Sequence, residues 1–248
     1  LGREGEIDDI SFEIKEGEVL GICGVEGSGR ESIMRAVAGL DPPQSGTIRV
    51  GGEAKAITSP AAAVRSGIGY VPQERRTEGL VMSMSVTENI SLPSIGKFRK
   101  NGFISRSMQE EAAENWIEKL SVRPPDQTLP ASSLSGGNQQ KIVLAREIER
   151  NPDLLLIGQP TRGVDIGAIE FIHQQIVALR DQGKAILLVS VELEEILSLS
   201  DRIAVMYLGH IMELAPRDPI YDEPLHPYTK ALLAAVPVPD PEVELTRP

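Results

Sequence analysis

The sequence contains a single cysteine, Cys23, and no long apolar run. One thiol cannot form a disulfide within the chain, so a reducing cytoplasm is the expected compartment. The longest uninterrupted apolar runs, Ile203–Leu208 and Ala231–Val236, are far shorter than the roughly 20 residues that a membrane-spanning helix needs. No charged-then-apolar leader follows Leu1. We therefore expect a chain that does not cross a membrane itself.

Positive charge is also scarce. The chain has 25 Lys and Arg against 36 Asp and Glu, a net charge of −11, and the acidic residues are spread along the sequence rather than collected in a tail. A nucleic-acid surface needs clustered cations, so no nucleic-acid partner is expected. With 248 residues, 41% of them hydrophobic, the chain can fill the core of one large acidic globular domain.

Hydrophobic patterning predicts an α/β fold with a parallel sheet that is buried on both faces. Residues Gly17–Val25 are typical of a strand that runs into a glycine loop and then a helix. Gly46–Ile57 has two extended runs around Gly51-Gly52, which predicts a hairpin with a primed turn. Further apolar strands alternate with helical stretches: strand Leu154–Ile157, helix 138–150, helix 166–180, strand Ala185–Val189 and strand Ile203–Met206.

A compositionally different segment, residues 83–134, interrupts this core and is predicted to be a helical subdomain. Its main helix should span 107–121, with an apolar residue every fourth position and a capping box from Ser107 and Glu110, and should end before Pro124-Pro125. The apolar residues of that repeat are Met108, Ala112, Trp116 and Leu120. The core then comprises 1–82 and 135–212, and 213–248 form a proline-rich appendage with one helix from Pro227 to Val236.

The stretch GVEGSGRES follows in part the G-x-x-x-x-G-K-[ST] spacing of loops that cradle phosphates. Arg30 occupies the lysine position and Glu31 the hydroxyl position. By itself such a loop is also compatible with simple packing of a strand against a helix, where Glu31 would only complement the helix dipole. The candidate nucleotide-binding residues of the loop are Gly24, Gly27, Ser28, Gly29, Arg30, Glu31 and Ser32.

Three further stretches carry candidate residues. In IGYVPQERRTEGLV, Gln73 follows a strand; its side-chain amide can donate a hydrogen bond to water, and its oxygen can coordinate a metal. In LSGGNQQK, Ser135, Gly136 and Gly137 precede a helix whose first N–H groups are free for an anion. In LLLIGQPTRGVD, a buried strand leads to Gln159 and then Asp165.

In this order and spacing, the four stretches resemble the P-loop, Q-loop, LSGGQ signature, Walker B strand and D-loop of the ATP-binding cassette (ABC) family. From Gly5 to Ala204 the chain is similar to the second cassette of simple-sugar or nucleoside importer ATPases, whereas Ser200–Pro241 resembles the C-terminal region of oligopeptide and dipeptide importer ATPases. The resemblance implies a P-loop NTPase (RecA-like) core with an antiparallel β subdomain and a helical subdomain. It leaves the substrate open between sugar, nucleoside and peptide.

The resemblance also implies that this chain's own ATP site is degenerate. Family members use a lysine, a Mg²⁺-binding hydroxyl and aspartate, a glutamate that activates water, and a histidine. Here these positions hold Arg30, Glu31, Gly158, Gln159 and Val191, so no metal-binding residue is assigned. The planar fork of arginine is bulkier than an ammonium group, so we expect it to fit poorly in the loop.

The signature, by contrast, is intact. Because ABC cassettes pair head to tail, Ser135, Gly136 and Gly137 are expected to contact ATP, with Mg²⁺, held by a partner cassette. The other implied partners are two permease subunits docking near Gln73 and the helical subdomain, and an extracytoplasmic binding protein. The expected location is the cytoplasmic face of the cell membrane. Lys141 should face solvent or pair with an acid, with a phosphate contact as the alternative.

Two rival functions remain at the sequence level. The chain could be a non-catalytic regulatory or structural subunit, which an ATPase assay with a competent cassette would distinguish. A soluble ABC protein of translation or DNA repair is disfavoured, because 83–134 is short and lacks sustained heptads. His173, His210 and His226 lie outside the motifs and are interpreted as surface or packing residues. The junction of two resemblances is compatible with a tandem half or with a chimeric sequence.

Overall fold

A six-stranded sheet forms the centre of the computed structural model of the chain, which describes residues 1–235. The strands are β1 (Val19–Cys23), β2 (Ile48–Val50), β3 (Glu53–Lys55), β4 (Ile68–Val71), β5 (Arg99–Lys100), β6 (Phe103–Ile104), β7 (Leu154–Gly158), β8 (Ala185–Val189), β9 (Arg202–Tyr207) and β10 (His210–Pro216). The α-helices are α1 (Arg30–Val37), α2 (Pro60–Arg65), α3 (Val86–Ser91), α4 (Arg106–Lys119), α5 (Gly136–Ile148), α6 (Ile166–Asp181), α7 (Leu193–Leu199), α8 (Arg217–Asp222) and α9 (Pro227–Ala234).

The strand order in the sheet is β10-β9-β1-β8-β7-β4, and every pair except β9–β10 is parallel. Parallel strands with helical crossovers bury both faces of a sheet, which explains their nearly continuous apolar sequences. In β1, Val19 and Cys23 pack into one core, while Leu20 and Ile22 pack into a second core on the opposite face with α1. The predicted α/β class is confirmed.

This topology collects several loops at one edge of the sheet. The carboxyl ends of β1, β4, β7 and β8 lie side by side, and they lead to the glycine loop, Gln73, Gln159 and Val191 respectively. The crevice beyond the carboxyl ends of parallel strands is where α/β proteins bind ligands. The glycine loop, Gln73, Gln159 and Val191, which are far apart in the sequence, therefore lie at the same edge of the sheet.

The predicted hairpin is present as β2 and β3. Gly51 and Gly52 both have positive φ, 59° and 79°, as a primed two-residue turn requires. This small sheet is separate from the central one. In residues 1–235, no helix is both long enough and apolar enough to cross a bilayer.

Residues 83–134 contain two α-helices, two 3₁₀ segments and the short hairpin β5–β6, so the segment is less uniformly helical than expected. Asn89 of α3 ties it together: its Oδ1 accepts from the Val81 amide at 2.8 Å, and its Nδ2 donates to the carbonyls of Val81, Met84 and Ser85 at 3.0–3.1 Å. The side chain is fully buried. These bonds fix the chain where it enters the segment.

The sequence prediction for the start of α4 was wrong. The helix begins at Arg106 after Ser105, and no side chain caps it; Glu110 instead pairs with Arg106 at 2.8 Å. An ion pair one helical turn apart has replaced the capping box as the local stabilising contact. The helix ends at Lys119 rather than 121, and its buried face is Ala113, Trp116, Ile117 and Leu120, whereas Met108 is exposed.

The C-terminal part adds β10 to the sheet edge and packs α9 beside it. Glu213 of β10 anchors the helix by accepting from the amides of Leu225 at 2.9 Å and His226 at 3.0 Å. Burial tends to raise the pKa of this carboxyl, but the nearby Thr229 hydroxyl and the hydrogen bonds from the two amides outweigh burial and lower the pKa. The end of the predicted helix, Val236, lies outside the described residues.

Candidate functional site

The glycine loop connects β1 to α1, and its backbone admits only glycine at two positions. Gly29 has φ 95°, and a Cβ there would lie 2.5 Å from the Glu6 carbonyl oxygen. At Gly24, a Cβ would collide with the carbonyl oxygen of Met206. The neighbouring β9–β10 turn holds the loop, because the Gly209 amide donates to the Ser28 carbonyl at 2.9 Å. The glycine spacing therefore has a packing cause as well as its resemblance to a phosphate loop.

Arg30 turns back into this loop and is only 2% exposed. Its Nη1 donates to the carbonyl of Gly24 at 2.9 Å, to that of Val25 at 2.5 Å and to Ser28 Oγ at 3.4 Å. Its Nη2 lies 3.6 Å from a Glu31 oxygen. The expectation that the arginine fits poorly was wrong, because the loop turns the carbonyl oxygens of Gly24 and Val25 toward it. The guanidinium thus binds the groups of its own loop.

Side chains from three loops meet beside Arg30. With the Gln73 amide oriented so that both its atoms are satisfied, its nitrogen donates to Glu31 at 2.8 Å and its oxygen accepts from Gln159 at 3.0 Å and Arg162 at 2.9 Å. Arg162 also pairs with Glu74 at 2.5 Å. Gln159 is buried and has φ 43°. Glu31 is therefore engaged by an amide, not left pointing at a ligand.

The residues at this position do not fit a magnesium ion. Gly158 occupies the aspartate position, and a Cβ there would lie 2.8 Å from Met34 Cε and 3.2 Å from the Gln73 amide nitrogen. Hard divalent ions require several oxygen ligands, but the two carboxylates beside Gln73 are engaged by side chains: Glu31 accepts from the Gln73 amide and Glu74 pairs with Arg162. Gln159 can orient a water molecule but cannot remove its proton. Sequence reasoning did not detect the contact of Met34 with Gly158, where the Met34 side chain fills the space that an acidic side chain would need.

The signature, residues 134–141, places Ser135 at the N-terminus of α5. Ser135 caps α5: its Oγ accepts from the Asn138 amide at 3.4 Å and from Asn138 Nδ2 at 3.0 Å. The N–H groups of Gly136 and Gly137 have no acceptor within the helix, as in any first helical turn. Gln139 fixes the preceding turn by donating to the carbonyls of Ala131 and Leu134. Ser135 itself is exposed.

The turn after β7 packs directly behind the signature. Asp165 caps α6 by accepting from the Ala168 amide at 2.9 Å, and its other carboxylate oxygen would lie 3.2 Å from a Cβ on Gly137. A Cβ on Gly136 would lie 2.7 Å from both the Gly163 carbonyl oxygen and Arg75 Nη2. The two glycines are thus needed because backbone and side chains of the turn approach them closely.

Lys141 is half-buried, and within residues 1–235 it forms no ion pair. Its Nζ donates to the Ser121 carbonyl at 3.1 Å and lies 4.5 Å from the centre of the Phe171 ring. Burial lowers the pKa of Lys141, while attraction to Asp165 acts in the opposite direction. The Lys141 ammonium group therefore links the signature helix α5 to Ser121 and to Phe171 of α6.

The histidines make local contacts away from the loop edge. His173 Nε2 lies 3.1 Å from the buried carboxylate of Glu195, His210 is half exposed near Asp8, and the His226 side chain caps α9. These positions agree with surface and packing roles.

The C-terminal helix reaches the glycine loop. Tyr228 of α9 lies against Tyr207, with ring centroids 4.5 Å apart, and its hydroxyl oxygen accepts from the Val25 amide at 3.4 Å. Cys23, immediately before the loop, is 2% exposed, and burial raises the pKa of its thiol to about 12. Sequence reasoning did not detect the Tyr228 contact, because it joins segments 203 residues apart.

Residues 7–162 match the family model of the ABC transporter, and residues 212–248 match that of the C-terminal region of oligopeptide and dipeptide transporters. The chain therefore belongs to the ABC transporter family. This confirms the double resemblance seen in the sequence.

Curated relatives point to import ATPases. A guanosine import ATP-binding protein of Bacillus subtilis is 46% identical over 83% of this chain and 41% of its own length. A ribose import ATP-binding protein of Rubrobacter xylanophilus is 45% identical over 85% of this chain and 41% of its own length. The chain thus spans about two-fifths of the relatives that it matches.

Solved structures agree in fold. A nucleotide-free ATP-binding cassette from an ABC transporter has a TM-score of 0.74 at 23% identity, covering 96% of this chain and 90% of that one. A dimeric cassette bound to ADP and phosphate has a TM-score of 0.73 at 24% identity, covering 85% and 90%.

Proposed function

We propose that this chain is an ATP-binding cassette of a nucleoside or sugar importer, and that it acts mainly by completing the ATP site of a partner cassette. The guanosine and ribose import relatives support the substrate class, at 46% and 45% identity. The match of residues 212–248 to a peptide transporter region keeps a peptide as the alternative substrate.

The contrast between the chain's two nucleotide-facing surfaces carries this proposal. At its own loop, Arg30 binds the loop carbonyls, Gly158 supplies no metal ligand and Gln159 supplies no base. At the signature, Ser135 is exposed, Gly136 is half-buried and Gly137 is buried. The Ser135 hydroxyl and the first N–H groups of α5, which have no acceptor within the helix, can bind a phosphate there. An intact signature beside a degenerate loop favours the role of donor to another cassette's site.

In the assembled state, the signature residues would bind the terminal phosphate of ATP that the partner holds. Their donors are fixed by Asn138, Gln139 and the turn behind them, so charge that develops on the phosphate meets oriented N–H and O–H groups. Magnesium would be held by the partner's residues, since this chain's loop does not fit it. ATP is then shared between the two cassettes.

The same proposal includes the remaining partners. The curated relatives are more than twice as long as this chain's match to them, which leaves room for a second cassette in the same polypeptide. Permease subunits would dock near Gln73 and residues 83–134 at the inner face of the membrane, with a binding protein on the other side. The domain division into 1–82 with 135–212, 83–134 and 213–248 belongs to this proposal.

Steady-state ATPase assays test the asymmetry. The isolated chain should hydrolyse ATP at the background rate. In the complex purified with its partner cassette, Arg30→Ala and Gln159→Ala should change the rate by only a few-fold, because they alter a site that does not turn over. If either variant abolishes ATPase activity as Ser135→Ala is expected to do, the chain's own pocket is catalytic and the proposal is wrong.

A regulatory subunit that never contributes to turnover is the second candidate, and the engagement of Glu31 and Arg30 within their own site favours it. The same assay separates the two. Only the signature-donor function predicts that the ATPase rate of a competent cassette rises when wild-type chain is added and does not rise with Ser135→Ala.

A further inference from the structure

Arg75 lies two residues after Gln73, in the segment that follows β4. It begins a single π-helical turn, Arg75–Gly79. Such turns are rare and occur frequently at functional sites. The side chain is partly buried, whereas the next residue, Arg76, is exposed.

The guanidinium of Arg75 joins two segments that are distant in sequence. Its Nη1 donates to the Arg162 carbonyl at 2.6 Å, and its Nη2 donates to the Gly163 carbonyl at 3.1 Å. Gly163 has φ 66°, and a Cβ there would lie 3.4 Å from Nη2. The planar fork thus holds two successive carbonyls of the turn after β7, which a single ammonium group cannot match.

The third neighbour of this guanidinium is the signature. Both Nη2 and the Gly163 carbonyl oxygen would lie 2.7 Å from a Cβ on Gly136. The turn and the arginine therefore form the surface against which the first residues of α5 rest. Any shift of the turn changes the support for the amides that face the phosphate.

Arg75 makes these contacts at an energetic cost. Burial lowers its pKa, and the neighbouring cations Arg76 and Arg162 act in the same direction, while Glu74 opposes them. No carboxylate pairs directly with the guanidinium among residues 1–235, where its recorded bonds are to carbonyl oxygens.

We propose that Arg75 is a positioning residue for the signature. Its guanidinium holds the Arg162–Gly163 turn against Gly136, and so keeps the Ser135 hydroxyl and the Gly136 and Gly137 amides aligned for the phosphate of the partner's ATP. This inference rests on the proposed signature-donor function. It extends that function to a residue in the Gln73 segment.

The first measurement needs only the isolated chain. Hydrogen exchange of amides 136–138 and 162–165 is compared among wild type, Arg75→Ala and Arg75→Lys, with Arg76→Ala as the matched control. Arg75→Ala should increase exchange at both segments, and Arg76→Ala should not. Equal exchange in the two alanine variants overturns the proposal.

The second measurement is the ATPase activity of the complex with the partner cassette. Because small displacements of catalytic groups cost up to about a hundredfold in rate, Arg75→Ala should lower kcat by about ten- to a hundredfold while KM for ATP stays within a few-fold. Arg75→Lys keeps the charge but loses the fork, so it should resemble Arg75→Ala. Melting curves confirm that each variant is folded.

Each remaining result has a defined meaning. Normal kcat for Arg75→Ala overturns the positioning role even if exchange increases. Full activity of Arg75→Lys also overturns it, because a single ammonium group would then replace the two-pronged guanidinium. An increase in KM for ATP with unchanged kcat would assign Arg75 to ATP binding and would also contradict the proposal. If Ser135→Ala is as active as wild type, the signature-donor function itself fails, which is a separate outcome.

Discussion

Ser135→Ala separates the structural role of the signature serine from its proposed chemical one. In the structure, the hydroxyl accepts from the Asn138 amide at 3.4 Å, a long hydrogen bond, and from Asn138 Nδ2 at 3.0 Å. Replacing a serine N-cap by alanine costs about 0.5–2 kcal/mol, and the length of this bond favours the lower end. Asn138 keeps its two bonds to the backbone of Arg123, so the loss should remain local.

The effect on activity should be far larger than the effect on stability. Removing one oriented donor from a developing oxyanion typically costs about 10²–10³ in rate. A cap loss of about 1 kcal/mol shifts the melting temperature of a chain of this size by only about 2–4 °C. Activity that falls a hundredfold in a folded variant therefore cannot be attributed to unfolding.

Ser59→Ala is the matched control. Ser59 caps α2 by accepting from the Ala62 amide at 3.3 Å, so it carries the same type of cap with a bond of nearly the same length. Both variants should lose similar stability in thermal melts, but only Ser135→Ala should lose ATPase activity in the complex with the partner cassette. Equal activities in the two variants would refute the role of the hydroxyl at the partner's site.

Three further predictions use the isolated chain. Calorimetry should show weak ATP binding that EDTA hardly changes, because Gly158 provides no metal ligand; a large loss with EDTA contradicts this. Asn89→Ala should lower the free energy of unfolding, measured in urea, by about 2–3 kcal/mol, since it leaves buried backbone groups without hydrogen-bond partners. A loss below about 0.5 kcal/mol would show that the Asn89 hydrogen bonds do not stabilise the fold. Because the pKa of Glu213 is lowered in the folded state, the stabilisation from this carboxylate is present at neutral pH and is lost as pH falls from the usual glutamate range through the lowered pKa. Exchange of the Leu225 amide should then increase, and Glu213→Gln should show that increase already at neutral pH.

The elements with strong local signals could be predicted from the sequence. Gly51-Gly52 specified a turn because only glycine adopts positive φ twice without strain, and the apolar runs specified buried parallel strands. The start of α4 could not be predicted as well, since Ser107 and Glu110 fitted a capping pattern while Arg106 competed for the same carboxylate. When two local patterns compete for one side chain, here Glu110, only the three-dimensional contacts show which of them forms.

The site was predicted in its motifs but not in its contacts. Gln73, Gln159 and Ser135 were assigned as candidates from the resemblance of their stretches to family motifs, and their roles stay a prediction. The engagement of Glu31 by Gln73 and the contact of Arg75 with Gly163 join segments far apart in the chain. Such contacts depend on strand order, which hydrophobic periodicity does not specify. Crowding at Gly137 is another case: a Cβ there would lie 2.9 Å from the Ala168 Cβ, so Gly137→Asp would disturb packing as well as charge.

The buried thiol of Cys23 has a practical use. It is the only cysteine in the sequence, it is 2% exposed, and its pKa of about 12 leaves almost no thiolate at neutral pH. Maleimide reagents should therefore leave it unmodified, and the wild-type chain already serves as an unreactive background. A cysteine introduced on the exposed β5–β6 hairpin would carry a spectroscopic label at one defined point, from which distances to a labelled partner would test the proposed pairing of this chain with a second cassette.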